Sequence, residues 1–213
     1  DIPLIKYIAS KGKPIIMSTG IATYDDIQLA IKTCFDEGNS DITLLKCTSS
    51  YPTPIDEVNL NMINKFSQEF NLKVGLSDHT IGNLVPILSI ALGAKVIEKH
   101  FILNHDIGGP DASFSLDEKE FTELVKDIRD AELAMGVESF ELTEKQISGR
   151  RFGRSIYVNK DIKEGEKITE ENIKIVRPSF GLEPKYYEKI IGKSVNKDLS
   201  HGDRLTLKDI NKN

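Results

Sequence analysis

Two short apolar runs each end on a histidine: Val74-Gly75-Leu76-Ser77-Asp78-His79 and Lys95-Val96-Ile97-Glu98-Lys99-His100. The interval between them reads as a turn, a helix and a turn. A parallel βαβ unit brings the ends of its two strands side by side at one edge of a sheet. Two imidazoles placed there suit one divalent cation, with positions left for water and a substrate oxygen. The competing reading is one buried structural histidine and one partly exposed. Each histidine has a carboxylate beside it. Asp78 and Glu98 are candidates to orient a ring, hold a metal-bound water or move a proton. Strand alternation puts Glu98 and His100 on one face. Asp78 reads equally as a turn or cap acceptor before Thr80.

Short hydroxyl side chains gather at other strand ends: Ser18-Thr19-Gly20, Thr48-Ser49-Ser50 and Ser77. Hydroxyls and backbone N–H groups at helix starts bind oxyanions with little cationic charge. Each group alone reads as a cap; three at neighbouring strand ends make a convergent pocket. Gly108-Gly109-Pro110-Asp111 is a sharp turn that presents Asp111, a good acceptor for sugar hydroxyls, unless it is an ordinary Gly-Pro turn. Arg177-Pro178-Ser179-Phe180-Gly181 puts a guanidinium on a rigid loop. It suits a carboxylate or acyl oxygen, although an exposed turn arginine is the simpler reading. Arg150, Arg151 and Arg154 read as a solvated linker face.

The elements that must position these groups alternate regularly. Strands are expected over residues 14–18, 42–47, 73–76 and 95–98, and helices near 24–37, 56–70, 83–92 and 117–135. Short apolar strands alternating with amphipathic helices mean a parallel sheet covered on both faces. Four such units make a small open sheet or half of an eightfold barrel, and a barrel needs about 250 residues. The chain opens abruptly at Asp1, inside a helix that stops at Gly12. That favours the C-terminal half of a (β/α)8 TIM barrel and a fragment whose first four units are missing. The sheet's outer strands should then be open edges with an exposed apolar inner face. The polar groups also lie at the C-terminal ends of the strands, where barrel chemistry sits.

The expected division is a barrel domain over 1–136, a polar connector over 137–153 and a small, mostly β domain over 154–213. In the last, residues 160–173 recur 37 positions later as 197–210, which implies a pseudo-symmetric unit. With 213 residues, 29% charged, and a net charge of −5, the chain lacks the basic balance of a nucleic-acid binder. No apolar stretch reaches membrane-spanning length. Two cysteines, Cys34 and Cys47, suggest no disulfide framework, so a reducing cytoplasm is expected.

These residues, in this order, resemble the sialic-acid synthase family. That family joins a phosphoenolpyruvate-dependent (β/α)8 barrel to a C-terminal antifreeze-like SAF domain, a β-clip fold. The resemblance is carried by Ser18-Thr19-Gly20, Cys47-Thr48-Ser49-Ser50-Tyr51-Pro52-Thr53-Pro54, Gly75-Leu76-Ser77-Asp78-His79-Thr80, Glu98-Lys99-His100-Phe101, Gly109-Pro110-Asp111 and Arg177-Pro178. Ser49 and the 108–115 run look most like the branch that makes pseudaminic acid. The resemblance therefore implies condensation of phosphoenolpyruvate with 2,4-diacetamido-2,4,6-trideoxy-L-altrose. Alternatives are N-acetylneuraminate or legionaminate synthesis, and, in another class, a non-catalytic sugar-binding or interaction module. It implies Mn²⁺ or Mg²⁺ on His79 and His100. It places Ser18, Ser49 and Ser77 on phosphoenolpyruvate, and Tyr51, Asp111 and Glu98 toward the acetamido-sugar or an intermediate. Arg177 would reach into a neighbouring barrel of a domain-swapped homodimer. Site residues of the family's first half-barrel have no counterpart here, so this piece alone is expected to be inactive.

Overall fold

The computed structural model describes residues 1–211; the last two residues of the expected 154–213 domain lie outside them. The chain forms two compact units, 1–137 and 138–211 of the described residues. In the first, α1 (Ile2–Ala9) precedes β1 (Ile15–Ser18), α2 (Tyr24–Asp36), β2 (Ile42–Cys47), α3 (Met62–Phe70), β3 (Lys73–Asp78), α4 (Leu84–Ala91), β4 (Ile97–Lys99) and α5 (Glu118–Met135). The strands make a parallel sheet in the order β1-β2-β3-β4. This is the architecture of half a TIM barrel, with β1 and β4 at its edges.

The pleat sorts side chains by face. Ile15, Met17, Ile42, Leu44, Val74, Leu76 and Ile97 point to the helices and pack with Ile27, Ile31, Ile63, Phe66 and Val85. The alternate residues, among them Ile16, Ser18, Leu45, Cys47, Ser77 and Glu98, share the other face by register. That face is open only at its edges. Ile16 is 57% exposed, whereas Leu45 is fully buried. The expectation of an exposed inner face thus holds at the edge strand and is corrected at its centre, where Leu45 is buried.

Three element bounds also differ from expectation. The helix expected from residue 56 begins at Met62, after a single 3-10 turn, because Asn59 takes a left-handed φ of 49° that no α-helix continues. β3 runs on to Asp78, two residues past its expected end. Regular strand β4 starts at Ile97, although Lys95 N and Val96 O already bond to β3. Capping boxes start α2 (Thr23 with Asp26) and α5 (Asp117 with Glu120).

The second unit contains α6 (Glu144–Gly149), β5 (Ser155–Val158), β6 (Ile173–Val176) and α7 (Tyr187–Ile190). Helix α6 lies within the expected polar connector 137–153. It has little apolar content, yet Thr143 and Gln146 cap it reciprocally. The internal repeat is a pseudo-two-fold. Ile162 and Leu199 exchange backbone hydrogen bonds at 2.8 and 2.9 Å. Glu164 N donates to Asp198, and its counterpart His201 N donates to Asp161, both at 2.8 Å. The buried residues Ile162, Ile168 and Ile173 match Leu199, Leu205 and Ile210 in one core.

Candidate metal centre and surrounding site

Register fixes the two histidines. The β3·β4 ladder pairs Ser77 with Glu98 and Asp78 with Lys99. The next positions are His79 and His100, and their ring centroids lie 5.1 Å apart. Thr48 O accepts a hydrogen bond from His79 Nδ1 at 3.0 Å. A carbonyl only accepts, so Nδ1 carries a proton and Nε2 is the ring nitrogen left for a metal. His100 Nδ1 is 3.5 Å from the Asp111 carboxylate, which leaves its Nε2 free as well. Two imidazoles with outer partners on Nδ1 are a donor set that fits a divalent ion.

Aromatic rings enclose the pair. Tyr51 lies over His79 at 4.3 Å and is 6.0 Å from His100. Phe114 contacts His100 at 5.0 Å and Tyr51 at 5.7 Å. Phe114 is buried and was not singled out from sequence as a site residue. Its only signal was its place five residues after Gly109 in the loop that carries Asp111.

The hydroxyl groups divide. Ser77 Oγ donates to Glu98 Oε1 at 2.7 Å, so this serine and carboxylate form one unit on the inner face. Ser49 is exposed in the loop after β2. It meets the turn after β1 so closely that a Cβ on Gly20 would lie 2.6 Å from its Oγ. Ser18 is exposed at the end of β1 on the same sheet face as Ser77. Lys46 holds the β2 loop from the helix side: its Nζ donates to Cys47 O at 2.7 Å and Thr48 Oγ1 at 2.8 Å. Burial pushes this amine below the usual lysine range.

Asp78 departs from its expected place beside the metal. Its carboxylate lies on the helix-covered side, 2.8 Å from Lys99 Nζ, with both side chains all but fully buried. It also accepts from Thr80 N at 3.0 Å and Thr80 Oγ1 at 3.1 Å. A carboxylate with these partners and no solvent has no access to a reacting atom, so the turn-acceptor reading describes it. Arg177 is exposed just after β6 in the second unit. It lines a groove with Arg150, Arg154 and Lys185.

A third histidine makes a separate cluster. His105 Nδ1 faces Ala112 O at 2.9 Å and its Nε2 faces Glu120 Oε2 at 3.0 Å, beside Asp117. Both nitrogens face acceptors, an arrangement that favours the protonated ring, while the neutral ring with Asp117 and Glu120 is a cluster of metal-ligand type. The Glu120 contact, then the Ala112 carbonyl, raises its pKa above the ordinary histidine value.

A model of the NeuB family matches residues 1–140. The chain belongs to the NeuB family. A SAF domain model matches residues 153–211. The pseudaminic acid synthase of Campylobacter jejuni subsp. jejuni serotype O:2 is 47% identical over 209 residues, which is 98% of this chain and 61% of that protein. The pseudaminic acid synthase of Helicobacter pylori is 47% identical over 211 residues, 99% of this chain and 62% of that protein. The chain thus spans about three-fifths of the length of these relatives. Among solved structures, the spore coat polysaccharide biosynthesis protein SpsE of Bacillus subtilis is 32% identical with a TM-score of 0.60, covering all of this chain and 65% of that one. In this NeuB-family chain no helix among the described residues is long and apolar enough to cross a membrane.

Proposed function

We propose that a protein containing this chain condenses phosphoenolpyruvate with 2,4-diacetamido-2,4,6-trideoxy-L-altrose to give pseudaminic acid and phosphate. The observation that carries the reading is the convergence of His79 and His100 at adjacent strand ends, rings 5.1 Å apart, in a chain 47% identical to pseudaminic acid synthases. His79 and His100 would hold Mn²⁺ or Mg²⁺, which when bound supplies Lewis-acid polarisation of the sugar aldehyde.

The chain's own residues account for the remaining chemistry. Ser18 and Ser49 line the phosphoenolpyruvate subsite with hydroxyl donors, and Ser77 borders it with its own hydroxyl committed to Glu98. Carbon 3 of phosphoenolpyruvate bonds to the aldehyde carbon, whose oxygen takes up a proton. Carbon 2 becomes cationic, adds water, and loses phosphate with cleavage of its C–O bond. Glu98, oriented by the Ser77 hydroxyl, is the carboxylate on this face that stabilises the cation and accepts the proton of the added water. Asp111 and Tyr51, both exposed beside the histidines, bind the sugar. Arg177, on the second unit, binds the acceptor's acyl oxygen in the barrel of a partner copy, and the working enzyme is a domain-swapped homodimer in the cytoplasm.

The test is phosphate release and nonulosonic acid formation from phosphoenolpyruvate and each of three acceptors: the altrose derivative and the acceptors of N-acetylneuraminate and legionaminate synthesis. Turnover is expected with the altrose derivative. Preference for either of the others would overturn the assignment.

A further inference from the structure

A buried ion pair lies directly behind the two histidines. Asp78 and Lys99 are the last partners of the β3·β4 ladder, one residue before His79 and His100 respectively. Their side chains are 1–2% exposed and 2.8 Å apart. Lys99 Nζ also donates to Thr80 O at 2.6 Å and lies 3.4 Å from Gly82 O. Asp78 binds Thr80 through its N–H and its hydroxyl. The segment 78–82 is therefore fastened to β4 on both sides of His79. His79 itself is fixed by Thr53 N on its carbonyl and Thr48 O on its ring, each at 3.0 Å.

Stability alone does not account for such a pair. Desolvating two charges costs about as much as their attraction returns, and apolar side chains of similar volume often do as well or better. What the apolar pair lacks is direction. Neither Leu nor Met can hold Thr80 N, Thr80 O and the opposite strand at fixed distances. From this we infer that Asp78 and Lys99 are a positioning pair that sets the spacing and the ring orientation of His79 and His100. They act from the face opposite the imidazoles and touch no substrate. The inference rests on the metal-centre reading for its purpose but not for its geometry.

The test uses the full chain and the double variant Asp78→Leu/Lys99→Met, which removes both charges together. Its circular dichroism should match that of the unchanged protein, while its thermal midpoint falls because the buried Thr80 N and Thr80 O lose their partners. In the metal-free protein, the Nδ1–H signal of His79 should be resolved in long-range ¹H–¹⁵N spectra. In the double variant it should broaden or average between tautomers. With Mn²⁺ alone as probe, calorimetry should show affinity reduced about 10–100-fold, the range for loss of outer-shell partners. A folded double variant with the His79 signal intact and unchanged Mn²⁺ affinity would overturn the proposal. If the double variant does not fold, Lys99→Arg keeps the charge but changes its shape. The same loss of tautomer order is expected there, and an unchanged His79 signal would overturn the proposal. The spectra need no metal, so an unchanged protein that binds no Mn²⁺ defeats the metal reading while the tautomer comparison still decides the pair's role.

Discussion

Asp78 shows how far one residue can be read from its neighbours. The motif Asp-His-Thr allows either a metal-side carboxylate or a turn acceptor, and both use the same local sequence. The choice is made by Lys99, whose position opposite Asp78 depends on strand register, a long-range fact. His79 and His100 were legible because both end short apolar runs. Phe114 was not, because an aromatic in a loop carries no periodicity. His105 gives a pH prediction. Its pKa is raised, first by Glu120 and then by the Ala112 carbonyl. Glu120 is held below the carboxylate range, first by Asp117 N–H and then by His105, so it stays ionised near neutrality. The imidazolium contacts therefore stabilise the fold fully below the unfolded histidine pKa of about 6.5, and this is lost as pH rises through the higher folded value. The urea midpoint of His105→Gln should fall short of the parent's below pH 6.5 and meet it at alkaline pH. A gap that is constant with pH would exclude the imidazolium.

At the scale of elements, β3 is the strand the site depends on most, and Gly75 is its tightest point. A Cβ there would lie 2.4 Å from Val96 O and 2.6 Å from Leu45 Cδ2. Val96 O is fixed by its bond from Leu76 N at 2.8 Å, so the backbone cannot give way. Gly75→Ala should cost about 1–3 kcal/mol, as overpacking does, read as a lower urea midpoint. An unchanged midpoint would mean that β3 and β4 are further apart than described. The strand-helix alternation was readable because buried parallel strands are continuous apolar runs between turn residues. Helix α6 was missed because its face buries little and leaves no apolar period. The Thr143–Gln146 capping box was its one readable signal. The long helix expected before Phe70 failed at Asn59, whose left-handed backbone its sequence permits but does not announce.

At the scale of the whole molecule, the two units have separate cores with no residue in common. The 37-residue repeat was legible because both copies keep the same glycine turn, at Gly165 and Gly202, with the same apolar positions around it. The exchanged hydrogen bonds that make it a two-fold were not, since they join the copies in space. Unfolding should show two transitions. Ile162 is fully buried on the pseudo-two-fold, so Ile162→Ala should lower one transition by about 2–5 kcal/mol and leave the other in place. Calorimetry that shows both moving together would mean the units unfold as one.

The shared metal site is tested most directly by electron spin-echo spectroscopy of Mn²⁺ bound to the protein, which detects coordinated ¹⁴N. Two nitrogen couplings are expected in the unchanged protein, one in His79→Ala, one in His100→Ala and none in the double variant. Bound Mn²⁺ without nitrogen coupling, or couplings that survive loss of both rings, would contradict the assignment of His79 and His100 as joint ligands.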